Sequence, residues 1–185
     1  MLLHFFTPDA LAPGVQDLDF AALWAAGYRG LIFDIDNTLV PHGAPADEAS
    51  VALFARLRAL GFQVWLLSNN GPDRIRRFNE RIGAPFTDNA RKPLPGACRR
   101  AVRAMGLARA QALVIGDQIF TDILCARLAG VDALMVRYVG YGSDPNPGKR
   151  RAVEERLLTI WGARRKPPKR KRLEACIHET TKALL

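Results

Sequence analysis

The chain has 185 residues, 49% of them hydrophobic, which suits one domain with a buried core and an extension. Its formal net charge is +9, and residues 149–185 hold 12 Lys and Arg against 4 Asp and Glu, whereas residues 1–148 hold 15 against 14. No apolar stretch is long enough to span a bilayer, and three scattered cysteines exclude a disulfide scaffold, so a cytoplasmic location is expected.

The predicted elements alternate between helices and apolar strands. After an irregular arm with a short helix near residues 20–26, strands are expected at 30–35, 62–67, 85–87, 112–115 and 133–139. Helices are expected at 47–60, 73–82, 94–105 and 122–129, then at 149–161 and 173–185. This alternation predicts an α/β fold with a parallel five-stranded sheet covered by helices on both faces.

The charge distribution predicts two parts of the chain. Residues 1–148 form the expected catalytic domain with its N-terminal arm, and residues 149–185 form a basic helix and tail. A strongly basic tail is typical of contact with an anionic partner, although a solvated tail is the simpler alternative.

Two aspartates and a threonine follow the first predicted strand. Side chains alternate along a strand, so Asp34 and Asp36 point the same way, and Thr38 comes next. Neighbouring carboxylates repel each other unless a cation lies between them, and Mg²⁺ prefers carboxylate and carbonyl oxygens. The pattern therefore predicts a magnesium site at the end of this strand.

Polar side chains also follow later strands. Ser68 and Asn69, then Lys92, then Asp117 are all expected at the carboxyl edge of the sheet, where parallel sheets bind ligands. Singly, each could be an ordinary turn or surface residue, and Asp122 could be only the N-cap of its helix. Their joint occurrence favours a single site.

This set of residues can transfer a phosphoryl group. Asp34 is the predicted nucleophile, and Asp36 is the predicted acid and base. Asp34, the Asp36 carbonyl and Asp117 are the predicted metal ligands, with Asp122 as a further candidate.

Four residues are predicted to receive the substrate phosphate. Thr38 and Ser68 offer hydroxyl groups, Asn69 offers a backbone N–H, and Lys92 supplies a positive charge close to Asp34.

These residues resemble the four sequence motifs of the haloacid dehalogenase (HAD) superfamily. The matching segments are Asp34-x-Asp36-x-Thr38, Ser68-Asn-Asn70, Ala90-Arg-Lys-Pro93 and Gly116-Asp-Gln-Ile-Phe-Thr-Asp122. The amino-acid sequences of these segments resemble those of the YqeG-type phosphatases of subfamily IIIA. The resemblance implies a Rossmann-like sheet, Mg²⁺ dependence and phosphatase activity.

The spacing of the motifs leaves no room for a cap domain. The next helix begins within nine residues of Thr38, and only a helix and a short strand fit between Asn70 and Lys92. An uncapped site suits a phosphate on a large molecule. Relatives in this family include a phosphatidylglycerophosphate phosphatase, so the resemblance also implies a lipid substrate, and the tail fits peripheral contact with an anionic membrane.

Two other functions remain open from the sequence. The run Arg164–Arg172 could bind RNA or a ribosome, although it lacks interleaved aromatic residues. A phospho-receiver signalling domain also uses acids, a hydroxyl and a lysine, but here both leading acids share a strand with Thr38, which disfavours it.

Overall fold

The computed structural model describes residues 2–141, 148–162 and 172–178. Its centre is a parallel sheet of six strands in the order β1-β6-β5-β2-β3-β4. The strands are β1 (Ala10–Ala12), β2 (Gly30–Phe33), β3 (Gln63–Leu67), β4 (Phe86–Thr87), β5 (Ala112–Gly116) and β6 (Asp132–Val136). The predicted α/β class and parallel sheet are confirmed, with six strands instead of five.

The additional strand is β1 in the N-terminal arm. Its three residues are too few to show an alternating pattern, and Pro8 and Pro13 flank them. Its edge is held by Asp9, whose carboxylate accepts a hydrogen bond from Ala133 N at 2.9 Å and pairs with Arg127, also at 2.9 Å. The arm is therefore part of the sheet.

Helices cover both faces of the sheet. They are α1 (Phe20–Ala25), α2 (Glu48–Ala59), α3 (Pro72–Asn79), α4 (Gly96–Ala104), α5 (Leu124–Ala129) and α6 (Gly148–Gly162). Short 3₁₀ turns lie at Leu2–Phe6, Val15–Asp17 and Arg109–Gln111, and a π-helix lies at Ile119–Ile123. Asp47 is the N-cap of α2, because its carboxylate accepts from Ser50 N at 2.8 Å.

The core consists of one apolar layer on each face. Along β2, Leu31 and Phe33 point toward α1, α2 and α3, whereas Ile32 points toward α4 and α5. Helix α6 joins the second layer through Leu158, which is buried. Burial on both faces explains why the central strands read as continuous apolar runs.

The C-terminal region contributes to this core as well. Leu173, Cys176 and Ile177 are buried in the layer that contains α1, and Ile177 forms an antiparallel bridge with Leu18. The helix predicted at 173–185 departs from the structure where it is described, because the helical turn ends at residue 174 and Ile177 forms the bridge. The rest of that prediction and nearly all of the basic run Arg164–Arg172 lie outside the described residues.

Two further features concern access to the sheet. In the described part of the chain no cap domain interrupts the sheet, because only residues 34–47 separate β2 from α2 and only residues 68–71 separate β3 from α3. None of the helices among the described residues is long and apolar enough to cross a membrane.

Candidate active site

The sheet order places the predicted site residues at one edge. Strand β2 lies between β5 and β3, with Phe33 opposite Ile115 and Leu66. Asp34, Ser68 and Asp117 follow these three strands directly, so they meet at the carboxyl edge where the strand order reverses.

Three aspartates form a buried cluster at this edge. Oxygen atoms of Asp34, Asp117 and Asp122 lie within 4.8 Å of one another, and Asp117 and Asp122 are almost fully buried. The Lys92 ammonium lies between two of them, 2.6 Å from Asp34 Oδ1 and 2.6 Å from Asp122 Oδ1. The predicted convergence of Asp34, Lys92 and Asp117 is therefore present in the structure, and Asp122 belongs to the same cluster.

Burial and repulsion from neighbouring carboxylates raise the pKa values of Asp34 and Asp117. Burial raises the pKa of Asp34 to about 7, with Lys92 opposing and Asp122 and Asp117 adding to the rise. Burial and Asp122 raise the pKa of Asp117 to about 6. Burial would lower the pKa of Lys92, but Asp122 and Asp34 raise it above its usual value. Lys92 therefore stays positively charged. A further positive charge at the cluster would stabilise the ionised forms of Asp34 and Asp117.

A tight turn after β2 orients the next two motif residues. Asn37 has a φ of 63°, a left-handed conformation that asparagine tolerates, and Leu39 N donates to Ile35 O at 3.0 Å. The turn aims the Thr38 hydroxyl at Asp117 Oδ1, at 3.2 Å.

The Asp36 side chain is not part of the acid cluster, which joins Asp34 to Asp117 and Asp122 instead of to the predicted neighbour Asp36. Its carboxylate accepts from Gly43 N at 2.7 Å, from Asn70 Nδ2 at 2.5 Å, and from Arg74 Nη2 at 2.8 Å. Two acids from one strand end thus occupy different environments, which is the arrangement that separate chemical roles require.

Ser68 and Asn69 support their neighbours. Ser68 is buried, and its hydroxyl accepts from Asn70 N at 3.1 Å. The Asn69 side chain makes two hydrogen bonds with the backbone of Lys92. Its Oδ1 accepts from Lys92 N at 2.6 Å, and its Nδ2 donates to Lys92 O at 3.0 Å. Asn69 therefore fixes the segment that carries Lys92.

Asp122 lies within the π-helix rather than at a helix N-cap. Its Oδ2 accepts from Gln118 N at 3.1 Å, while Oδ1 binds Lys92. Gly116 permits this approach, because a Cβ there would lie 2.5 Å from Asp122 Cβ. π-helical turns frequently occur at functional sites.

Four contact residues were not predicted from the sequence. Asn70 and Arg74 hold Asp36. Arg151 of α6 contacts Asp117, and Glu154 contacts Arg151. Asn70 belongs to the motif Ser68-Asn-Asn70 but was given no role there. Arg74 lies in the helix predicted at 73–82, and nothing in that pattern points to Asp36. Arg151 and Glu154 lie more than thirty residues beyond Asp117, and no spacing pattern links them to it.

A cleft of about 920 Å³ adjoins the site at Thr38. It runs between α2 and the segment that follows β6, with apolar side chains such as Phe20, Leu53 and Tyr138 along its wall. Arg56 and Arg137 also line it. The cleft has the size of a typical small-molecule site.

The acid cluster fits a divalent cation. Three carboxylates converge on one buried point, and Lys92 alone does not balance their charge. Carboxylate oxygens are the ligands that Mg²⁺ and Mn²⁺ select in proteins.

A parallel sheet with an acid cluster at its carboxyl edge is the architecture of the HAD phosphatases. Residues 89–149 match the family model for HAD-hydrolase-like proteins. A solved HAD family hydrolase from Deinococcus radiodurans, described with bound phosphate and sodium, shares the fold with a TM-score of 0.53 and 18% identity. The match covers 71% of this chain and 89% of that one.

Curated relatives narrow the class to one family. The chain is 35% identical over 160 residues to "Probable phosphatase YqeG" of Bacillus subtilis, covering 86% of this chain and 93% of the relative. It is 28% identical to "Phosphatidylglycerophosphate phosphatase 1, chloroplastic" of Chlamydomonas reinhardtii, covering 83% of this chain and 61% of that protein. The chain belongs to the YqeG-type family of HAD phosphatases, as the motifs predicted.

Proposed function

We propose that the protein is a magnesium-dependent phosphomonoesterase that acts through an aspartyl-phosphate on Asp34. The observation that carries this proposal is the buried cluster of Asp34, Asp117 and Asp122 around Lys92, with Asp36 held separately beside it. In the first step the Asp34 carboxylate attacks phosphorus, and the bond to the ester oxygen breaks. Asp36 donates a proton to that leaving oxygen.

The second step regenerates the enzyme. Asp36, now a carboxylate, takes a proton from water as the water oxygen attacks phosphorus. The bond between phosphorus and Asp34 breaks and returns the free carboxylate and inorganic phosphate. Arg74, Asn70 and Gly43 N hold Asp36 in one orientation through both proton transfers.

Asp34 and Asp117 are the side chains that we assign to a bound Mg²⁺, together with the Asp36 carbonyl. When bound, the cation supplies positive charge that offsets charge on the transferring phosphoryl group. Both Asp122 oxygens already accept hydrogen bonds, from Lys92 and from Gln118 N. Asp122 therefore holds Lys92 and the π-helix in place, and it is a further candidate ligand because its carboxylate belongs to the same cluster.

Lys92, Thr38, Ser68 and the Asn69 N–H are the groups that we assign to the substrate phosphate. Lys92 already contacts Asp34 Oδ1, so its charge lies beside the attacking group. A dianionic phosphate approaching three aspartates needs this cation, because like charges at such distances repel strongly in a buried site.

The substrate that we propose is a lipid phosphomonoester, with phosphatidylglycerophosphate as the first candidate. Three observations support a large substrate: the relative from Chlamydomonas, the absence of a cap in the described residues, and the largely apolar cleft at Thr38. The basic segment 149–185 would bring the domain 1–148 to an anionic inner membrane surface, where each Lys or Arg contributes about 1 kcal/mol.

A vesicle assay tests this substrate. Vesicles that contain phosphatidylglycerophosphate should release inorganic phosphate with Mg²⁺ present, at a kcat/KM at least about tenfold above that for glycerol 3-phosphate, because the cleft binds the larger leaving group. Phosphate release from small phosphomonoesters but none from the vesicles would rule out phosphatidylglycerophosphate as the substrate. The assignment of phosphatase activity would then still stand.

Magnesium should stabilise the protein more as pH rises. The pKa values of Asp34 (about 7) and Asp117 (about 6) are raised in the folded state, so the fold retains protons that the unfolded chain loses. The metal-free protein therefore loses stability as pH rises from about 4 through about 7, and Mg²⁺, which needs ionised ligands, reverses that loss.

The measurement is the Mg²⁺-induced shift in melting temperature at a series of pH values. We expect little shift near pH 5 and a clear increase by about pH 8. A shift that does not change with pH would contradict the assignment of these two carboxylates to the metal.

A further inference from the structure

Helix α6 lies outside the four motifs, yet it contacts the acid cluster directly. Arg151 Nη1 donates to the Asp117 carbonyl at 2.6 Å, and Nη2 pairs with Asp117 Oδ2. The Arg151 side chain is only 16% exposed, and its guanidinium stacks on Tyr138 at 4.6 Å. This arginine is therefore packed in one place rather than mobile on the surface.

The partner of Arg151 on the same helix is a buried acid. Glu154 is 1% exposed, and its Oε1 accepts from Ile119 N at 3.0 Å and from Phe120 N at 3.4 Å. Its Oε2 pairs with Arg151 Nη1 at 3.3 Å. Glu154 thus binds the first turn of the π-helix that carries Asp122.

These contacts fix the orientation of Asp117. Thr38 donates to Oδ1, and Arg151 binds both Oδ2 and the backbone carbonyl, so both oxygens of the carboxylate are held. A planar guanidinium presents its donors in a fixed fork, which suits two contacts of defined geometry with one residue, whereas an ammonium is a compact charge on a flexible stem. Arg151 also supplies the cation for Asp117, whereas Lys92 pairs with the other two carboxylates of the cluster.

A buried carboxylate is costly unless it is paired and hydrogen-bonded. Glu154 meets that cost by accepting the two π-helix N–H groups and by pairing with Arg151. One chain of contacts therefore runs from α6 through Arg151 to Asp117 and through Glu154 to the turn that holds Asp122.

We propose that Arg151 and Glu154 are positioning residues of the phosphatase site. Arg151 holds the Asp117 carboxylate in the orientation that binds the cation, and Glu154 holds both Arg151 and the Asp122 turn. The inference rests on the proposed function, because it assigns Asp117 to the metal. Helix α6 then completes the site, although it lies beyond the motifs that define the class.

The first test uses a soluble phosphomonoester, so that membrane contact plays no part, and compares Arg151→Ala with Arg156→Ala, which removes an exposed arginine from the same helix. The Mg²⁺ concentration for half-maximal activity should rise about 10- to 100-fold in Arg151→Ala, as is usual when a residue that supports a metal ligand is lost. It should not change in Arg156→Ala. Arg151→Lys should be intermediate, and millimolar guanidinium should restore activity to Arg151→Ala, whereas urea should not.

The second test does not depend on turnover. Calorimetric titration with Mg²⁺ should show about tenfold weaker binding in Arg151→Ala and unchanged binding in Arg156→Ala. Glu154→Gln keeps an acceptor for the two N–H groups, so we expect it to fold even where Glu154→Ala does not. It should weaken Mg²⁺ binding by a smaller factor than Arg151→Ala does.

Two results would overturn the inference. One is Mg²⁺ affinity in Arg151→Ala and Arg151→Lys equal to that of the wild type. The other is a loss of activity in Arg151→Ala that guanidinium does not rescue and that also occurs in Arg156→Ala. If the wild type hydrolyses no phosphomonoester, the proposed function fails, and the calorimetric comparison still decides the role of Arg151.

Discussion

Replacing Asp34 by asparagine is expected to lower kcat for phosphomonoester hydrolysis by about 10⁴-fold. The amide keeps the shape of the side chain but cannot attack phosphorus. The effect should exceed that of any substitution that only weakens substrate binding, because the covalent step itself is lost. Steady-state kinetics with a soluble phosphomonoester under saturating Mg²⁺ measures it.

The same substitution should stabilise the metal-free protein. Asp34 is held against two other acids, and burial raises its pKa to about 7, so its ionised form costs free energy in the fold above that pH. Asparagine removes this cost, while Lys92 keeps its pair with Asp122. Melting curves in chelator at about pH 8 should therefore show a higher melting temperature than the wild type.

The matched control is Asp73→Asn, which changes an exposed acid at the start of α3. It should alter neither kcat nor the melting temperature by a measurable amount, because exposed ion pairs contribute little. Full activity in Asp34→Asn would mean that another group attacks phosphorus.

Replacing Lys92 by methionine is expected to have the second largest effect. The lysine lies 2.6 Å from both Asp34 and Asp122, and all three side chains are nearly buried. Removing one partner of a buried ion pair leaves an uncompensated charge and costs about 3–5 kcal/mol. The variant should also lose phosphate binding, so both the unfolding free energy and kcat/KM should fall.

Two comparisons separate the charge from the packing. Lys149→Met removes an exposed lysine and should change neither the unfolding free energy nor kcat/KM for a soluble phosphomonoester. The double variant Asp34→Asn/Lys92→Met should regain part of the lost stability and none of the activity, since one uncompensated acid is gone. Stability equal to the wild type in Lys92→Met would contradict the contacts described for Lys92.

Most of the site could be predicted because Asp34, Ser68 and Asp117 each follow a strand directly. An apolar run fixes where a strand ends, and parallel strands end at one edge, so Asp34, Ser68 and Asp117 had to meet. Lys92 follows a strand of only two residues, β4, and its position depends on the Asn69 side chain. The sequence indicated the convergence of these residues but not the contact that fixes the lysine.

The remaining site residues depend on tertiary packing. Arg151 and Arg74 lie on helices whose sequences indicate only basic and amphipathic surfaces, and local patterns do not say which cation meets which acid. Strand β1 was missed for a similar reason, because its three residues form a strand only when β6 lies beside them. Local propensity is a weak guide wherever distant partners decide the structure.

The central claim is that a phosphoryl group passes through Asp34, and trapping the intermediate tests it most directly. Enzyme quenched during turnover and reduced with borohydride converts an aspartyl-phosphate to homoserine, and tryptic cleavage after Arg29 and Arg56 isolates residues 30–56 for mass spectrometry. We predict homoserine at position 34 in the wild type and unmodified chain in Asp34→Asn. Homoserine at another aspartate, or none in enzyme that is releasing phosphate, would contradict this account.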